Sequence, residues 1–450
     1  MKRRQILRIV PLSLSLWASA AHAQNRQNDV ARLFDMAAAK HEREIIDLWT
    51  ERASLRRFIQ LPNISSRSIA EILAVSAEES RGHRRPSSEE ITYPYGTSVL
   101  FYSYYEESLQ IWLVNDLGIG AYHKYDISKQ KISEAITGLR DSLNVDSLQQ
   151  SRVPHQRASA KAVPIATYTE ESRDLAITDL TKILLPPLIA NALSAVKHLI
   201  IVPVLEIGIV PYAILKPFGD DSLLIDRMSV SIAPSLFDLV QVLYRKDLKR
   251  LFVSPLIVGN PYLPESANWS VPPLPGAEQE ARSVAKMMNT TPLLGKEATK
   301  AEIVSRAEES SLLYFATHGI ASSLNPLSDS FLMLSAESFE QGWWTAKEIQ
   351  SIRLSAEIAV LSACQTGLGQ SHDAGIIGLS RAFQLAGVPR VVMSLWSVDD
   401  HATNKLMQAF VKHLEIQIPS EALRQAMLEV RKDYSDPGKW ASFVLFGTPR

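Results

Sequence analysis

Short, nearly continuous apolar runs leave this chain few ways to fold. They occur at His198–Val204, Leu251–Val258, Leu312–Thr317, Ile358–Ser362 and Val391–Trp396. A strand that is apolar on both faces must be covered on both faces, and helices on either side of a parallel sheet do this. Helical patterns stand between the runs. Thr299 and Glu302 have the spacing of a capping box at a helix start. Ile376, Leu379, Phe383 and Ala386 share one helical face, which Gly387 and Pro389 stop. Leu406, Phe410 and Leu414 line a further helix, and Leu423, Met427 and Val430 another. Strands alternating with helices of this length predict an α/β fold with a mainly parallel sheet.

The region ahead of these runs reads differently. Leu33, Met36, Ala37, Ile45, Leu48 and Leu55 recur at roughly helical spacing, so 24–90 is expected to be a helical segment. It ends in a polar loop containing Arg81, Arg84 and Arg85. Ser98–Tyr105, Leu109–Val114 and Ile119–Tyr125 are short β-rich runs, and Asp116-Leu117-Gly118 supplies turn chemistry between two of them. A small N-terminal β meander is therefore expected within 91–150. A helix is expected from about Ser128 to Leu143, and a surface loop over 150–172.

The first residues have the pattern of a secretory signal peptide: a basic head (Lys2, Arg3, Arg4, Arg8), an apolar stretch from Ile9 to Ala20, and Ala21-His22-Ala23 before Gln24. Residues 1–23 are thus expected to be removed and the protein exported, to the periplasm or beyond the cell. Arg3-Arg4-Gln5-Ile6-Leu7 also resembles a twin-arginine signal. No later segment reaches the ~18 uninterrupted apolar residues of a membrane span, so stable membrane insertion is not expected. A formal net charge of −1 argues against nucleic acid or an anionic membrane as partner. The chain has a single cysteine, which rules out an internal disulfide. In an exported chain such a thiol is either buried and inert or kept for its reactivity.

In open α/β sheets, ligands sit beyond the carboxyl ends of the strands. Two such ends here carry unusual residues. Leu312–Thr317 leads into His318-Gly319, and Ile358–Ser362 into Ala363-Cys364-Gln365-Thr366-Gly367. If these strands are neighbours, His318 and Cys364 face one crevice. A thiolate attacks a carbonyl far better than a thiol does, and an imidazole can take its proton and return it to the leaving amine. The developing oxyanion needs donors, for which the backbone N–H groups of Gly319 and Cys364 are candidates. No metal or organic cofactor is needed for such chemistry. Caspases place a histidine before their cysteine at a similar separation, within a Q-A-C-[RQG]-G signature; the local sequence here shares Ala-Cys-Gln.

Ala316-Thr317-His318-Gly319 followed by Ser362-Ala363-Cys364-Gln365-Thr366-Gly367 resembles the CHAT family, relatives of caspases, separase and gingipains. Ile200–Leu215, Ser231–Ser235, Pro272–Gly276, Gly378–Phe383, Ser394–Asp400 and Trp440–Gly447 also resemble segments of that family, over roughly 95–450. The resemblance implies a caspase-like three-layer α/β fold and a cysteine endopeptidase with His318 as base and Cys364 as nucleophile. Its substrate would be a protein or peptide, with a regulatory protein partner a further possibility. The expected organisation is a signal peptide (1–23), a helical segment (24–90) and a CHAT domain (91–450), made of the meander (91–150) and a caspase-like core (160–450).

The sequence departs from the family where Asp373-Ala374-Gly375 replaces the common Gly-Glu-Gly. In related peptidases an acid in the first specificity pocket selects a basic side chain, which makes Asp373, Asp399 and Asp400 pocket candidates. For Asp399 and Asp400 the preferred reading is that they cap the helix that starts near Ala402, where Asp is favoured. Gly378-Leu379-Ser380-Arg381-Ala382 nearly matches a nucleophile elbow, but Ser380 falls in a helical pattern. Gly367-Leu368-Gly369 lacks the remainder of a phosphate loop. Cys364, His318, His372 and His401 lack the spacing of a zinc site. The rival reading is an exported scaffold of the same fold that binds peptides or protein partners without cutting them.

Overall fold

A computed structural model describes residues 12–49, 64–80, 94–143, 155–156, 169–241, 252–266, 269–271, 274–322, 325–362, 370–372, 375–396 and 399–449. Its centre is an eleven-stranded sheet. In chain order the strands are β1 (Thr97–Tyr105), β2 (Ser108–Asn115), β3 (Gly118–Asp126), β4 (His198–Val202), β5 (Ser229–Ile232), β6 (Pro255–Pro261), β7 (Leu293–Gly295), β8 (Leu312–Ala316), β9 (Ile358–Leu361), β10 (Arg390–Ser394) and β11 (Phe443–Gly447). Across the sheet the order is β3-β2-β1-β4-β5-β11-β10-β9-β8-β6-β7.

The meander forms as its β-rich runs and turn residues predict, with β1, β2 and β3 antiparallel. Gly118 takes φ +113° at the second turn, a conformation glycine reaches without strain. β1 also pairs parallel with β4, so the meander continues the main sheet. From β4 onward the pairings are parallel except that of β10 with β11. Of the stretch 150–172, expected to be a surface loop, residues 155–156 and 169–172 are described. His155–Gln156 pairs antiparallel with Trp269–Ser270, and a helix begins at Glu170.

The apolar runs are buried on both faces, as a covered parallel strand requires. On β8, Leu312, Tyr314 and Ala316 enter one core, while Leu313 and Phe315 enter the other. The first core lies under the helices Lys129–Ser142, Glu170–Leu184, Pro275–Met287, Asp400–Leu414 and Pro419–Arg431. The second lies under Lys300–Ala307, Ala346–Ile349 and Leu379–Ala386. Phe315, Trp344 and Phe383 meet there with ring centroids 5.7–6.2 Å apart. Truncating such a ring to alanine costs about 3–5 kcal/mol.

The helix Leu12–Trp49 runs across the expected boundary at residue 23. Phe34 packs edge-on against Phe101 and Trp112 of the meander. Among the described residues, no single helix is long and apolar enough to cross a membrane.

Candidate active site

The site is assembled at the carboxyl ends of β6, β8 and β9. Past β8, the Thr317 hydroxyl donates to the Met333 carbonyl (2.6 Å), and the Met333 N–H donates to the His318 carbonyl (2.9 Å). These bonds fasten the His318 backbone to a second, three-stranded sheet formed by Gly319–Ile320, Phe331–Met333 and Trp343–Thr345. Gly319 stands opposite Leu332. Since the neighbouring bond runs from Met333 to His318, this is a non-hydrogen-bonded pair, and the Gly319 N–H points away from Phe331–Met333.

β8 and β9 are parallel neighbours with Phe315 opposite Leu361. His318 comes three residues after Phe315, and Cys364 three residues after Leu361. Ser362 is the last described residue on that side; Cys364 and Asp373 lie outside the described residues. The expectation that the two strand ends adjoin is thus met by the strands that carry them.

His318 is only 3% exposed, yet with Thr317 it lines a cavity of about 960 Å3. The other described lining residues come from the Asn260–Ser266 stretch, Trp269, Val271, Leu274 and Gly295. Trp269 abuts Phe331, Phe339 and Trp343, and the last of these stacks on Phe331 at 4.3 Å. Sequence reasoning did not identify this wall. The signal available was the position of Asn260–Ser266 at the carboxyl end of a parallel strand next to β8.

The acidic candidates have other surroundings. The Asp399 carboxylate accepts from the N–H groups of His401 (3.0 Å) and Ala402 (3.2 Å), capping the helix Asp400–Leu414. Asp400 lies over Gly276, in the first turn of Pro275–Met287, so closely that a Cβ on Gly276 would come within 2.5 Å of the Asp400 Cβ. Neither acid is among the described residues lining the cavity. Ser380 is buried in the first turn of Leu379–Ala386.

One acid missed by the sequence reading lies beneath the crevice. Glu280 is 4% exposed, and Tyr314 of β8 donates to its Oε1 at 2.6 Å. Ser362, just past β9, hydrogen-bonds to the same carboxyl and to Tyr314. Burial pushes the Glu280 carboxyl up to about 7; the two hydroxyls pull it down, and the Asp400 charge pushes it up. Burial likewise raises the Tyr314 phenol well above its ordinary value, and Glu280 adds to this. The sequence does hold a signal for Glu280, since it falls on the helix face marked by Ala277, Ala281 and Val284.

The CHAT domain model matches residues 175–448. Tetratricopeptide repeat protein 28 of Homo sapiens is 28% identical over 296 residues, and its Mus musculus counterpart 28% over 295. Each alignment covers 56% of this chain and 12% of the relative, so the chain matches only a small part of those proteins. The Saccharomyces cerevisiae separase–securin complex shares the fold with a TM-score of 0.52 and 11% identity, covering 78% of this chain and 30% of that one. The caspase-like α/β architecture expected from the sequence is the one observed, and the chain belongs to the CHAT domain family.

Proposed function

We propose that the chain is a cysteine endopeptidase in which Cys364 attacks the scissile carbonyl of a protein or peptide. The observation that carries this reading is the parallel pairing of Phe315 with Leu361, since His318, which lines a cavity, and Cys364 each follow these paired residues by three positions in the sequence. In the proposed cycle, His318 takes the thiol proton as the S–C bond forms. It returns that proton to the amine as the peptide C–N bond breaks. The Gly319 N–H and that of Cys364 hold the oxyanion. Water, deprotonated by His318, then cleaves the thioester and regenerates the thiol. The signal-peptide pattern supports action outside the cytoplasm, and a regulatory protein partner is part of the same proposal.

The second reading is a peptide-binding scaffold without cleavage. It stands because a fold does not by itself fix an activity. Alkylation separates the two. Cys364 is the chain's single cysteine, so iodoacetamide labelling reports on it alone. A peptidase thiol reacts near neutral pH much faster than a free thiol of pKa about 8.5, and His318→Ala slows it. A rate no faster than the free thiol, with no cleavage of a peptide library, rejects the peptidase reading and leaves the scaffold.

A further inference from the structure

We propose that Glu280 is a positioning residue for the cysteine–histidine chemistry, fastening the middle of β8 and the residue just past β9 to one helix. The proposal rests on the peptidase reading above. Tyr314 belongs to the strand that delivers His318, and Ser362 is the residue two before Cys364. Both hydroxyls converge on the Glu280 carboxyl, which reaches them from the neighbouring helix Pro275–Met287. One side chain thereby ties β8 at its middle residue, and the chain just past β9, to a helix that belongs to neither. Parallel backbone pairing sets the register only as far as Phe315 and Leu361. The Glu280 bond network extends this link to Ser362, the last described residue before the nucleophile segment. An error of about 1 Å in the placement of reacting groups can cost about a hundredfold in rate, so such a link matters to chemistry more than to folding.

The charged surroundings set when Glu280 ionises. From the helix Asp400–Leu414, Asp400 faces Glu280 with like charge. β8 contributes the Tyr314 phenol, and β6 contributes no ionisable side chain. On its own helix, Glu278 and Arg282 pair at 2.8 Å away from the core, and Lys286 is exposed. No cation among these groups neutralises a carboxylate at 280. The two hydroxyls favour the ionised carboxyl, whereas burial and the Asp400 charge favour the protonated one, so the changeover between the two forms falls near neutrality.

The test measures iodoacetamide labelling of Cys364 in the full chain, together with melting temperature, for wild type and Glu280→Ala, Glu280→Gln and Ser362→Ala. Glu280→Ala is expected to slow labelling about tenfold, and Glu280→Gln, which keeps the shape and the bonds, to restore it to within about threefold. The glutamine variant is also expected to lose the part of the wild-type pH profile that titrates near neutrality, which a merely structural role would leave in place. If Glu280→Ala does not fold, Ser362→Ala decides, because it removes one bond and leaves residue 280 intact. Fast wild-type labelling that Ser362→Ala and any folded Glu280 variant leave unchanged overturns the role of Glu280 and spares the peptidase reading. Wild-type labelling at the free-thiol rate overturns both.

Discussion

Phe315 stands opposite Leu361 in the parallel pairing of β8 with β9. This alignment sets the strand that leads to the histidine beside the strand that leads to the cysteine. Past β8, the register of the small sheet leaves the Gly319 N–H directed away from Phe331–Met333. Replacing Gly319 by proline deletes that N–H without deleting a bond to Phe331–Met333. On the peptidase reading, kcat falls about 10²–10³-fold for Gly319→Pro, the usual cost of losing one oxyanion donor. The circular dichroism spectrum should stay that of wild type. A folded variant with undiminished kcat assigns the donor elsewhere.

Glu280 makes a prediction about stability that does not depend on catalysis. Its carboxyl moves from the ordinary 4.5 up to about 7 on folding, chiefly through burial. Between these values the folded chain keeps a proton that the unfolded chain has released. Stability from this site is therefore full below 4.5, falls as pH rises towards 7, and is level above that. Glutamine has no proton to lose, so Glu280→Gln should gain on wild type across this window, by about 3 kcal/mol at the alkaline end. Urea unfolding of both proteins on either side of the window measures the difference. A gap independent of pH would mean that Glu280 ionises normally in the folded chain.

Periodicity made the alternation of strands and helices legible, because β6, β8, β9 and β10 are apolar on both faces and little else in the sequence is. It also made the meander legible, since β1 to β3 are bounded by turn residues. β5 and β11 escaped that reading. β5 is a four-residue strand with serine at two positions, and β11 is interrupted by half-buried Val444, so neither looks like a continuous apolar run. The site divides the same way. The place of His318 and Gly319 just past a strand was legible because the apolar run that forms β8 stops directly before them. Glu280 was not, because an acid in an amphipathic helix reads as solvent-facing unless its exact face is known. The aromatic wall of Trp269, Phe331 and Trp343 comes together only through the small sheet, which no local spacing announces.

The N-terminal helix is coupled to the helix that follows the cysteine segment. Glu42, on Leu12–Trp49, accepts from the N–H groups of Leu236 (2.9 Å) and Phe237 (3.3 Å) at the start of Leu236–Gln241. That short helix carries Asp238, which accepts from Arg381 of Leu379–Ala386 at 2.6 Å. The pair is largely removed from solvent, so breaking one side strands a charge. Arg381→Met should destabilise the protein by about 3 kcal/mol, and adding Asp238→Leu should recover most of that. Glu42→Ala should cost about 1–2 kcal/mol, as the loss of a helix cap does. Denaturant unfolding of the single and double variants measures each; additive losses for Arg381 and Asp238 would show that the two do not act as a pair.

Gly276 and Asp400 provide the sharpest packing test, because the sign of the effect should reverse. Alanine is intrinsically better than glycine in a helix by about 1 kcal/mol. In this chain, however, a Cβ at 276 would lie 2.5 Å from the Asp400 Cβ and 2.8 Å from its Oδ2. The start of Asp400–Leu414 is held by the Asp399 cap and cannot retreat freely. Gly276→Ala should therefore destabilise by about 1–3 kcal/mol, the range for forcing extra methylenes into a filled space. Asp400→Gly removes the atoms that would clash. In that background the same Gly276→Ala change should stabilise, by up to about 1 kcal/mol. A double-mutant cycle by denaturant unfolding reads the coupling directly. Equal effects in the two backgrounds would mean that the helix ends do not meet through these residues. The sign reversal would place the Asp400 carboxylate against the first turn of Pro275–Met287, where the amino-terminal end of that helix favours a negative charge and where the same carboxylate helps keep Glu280 protonated.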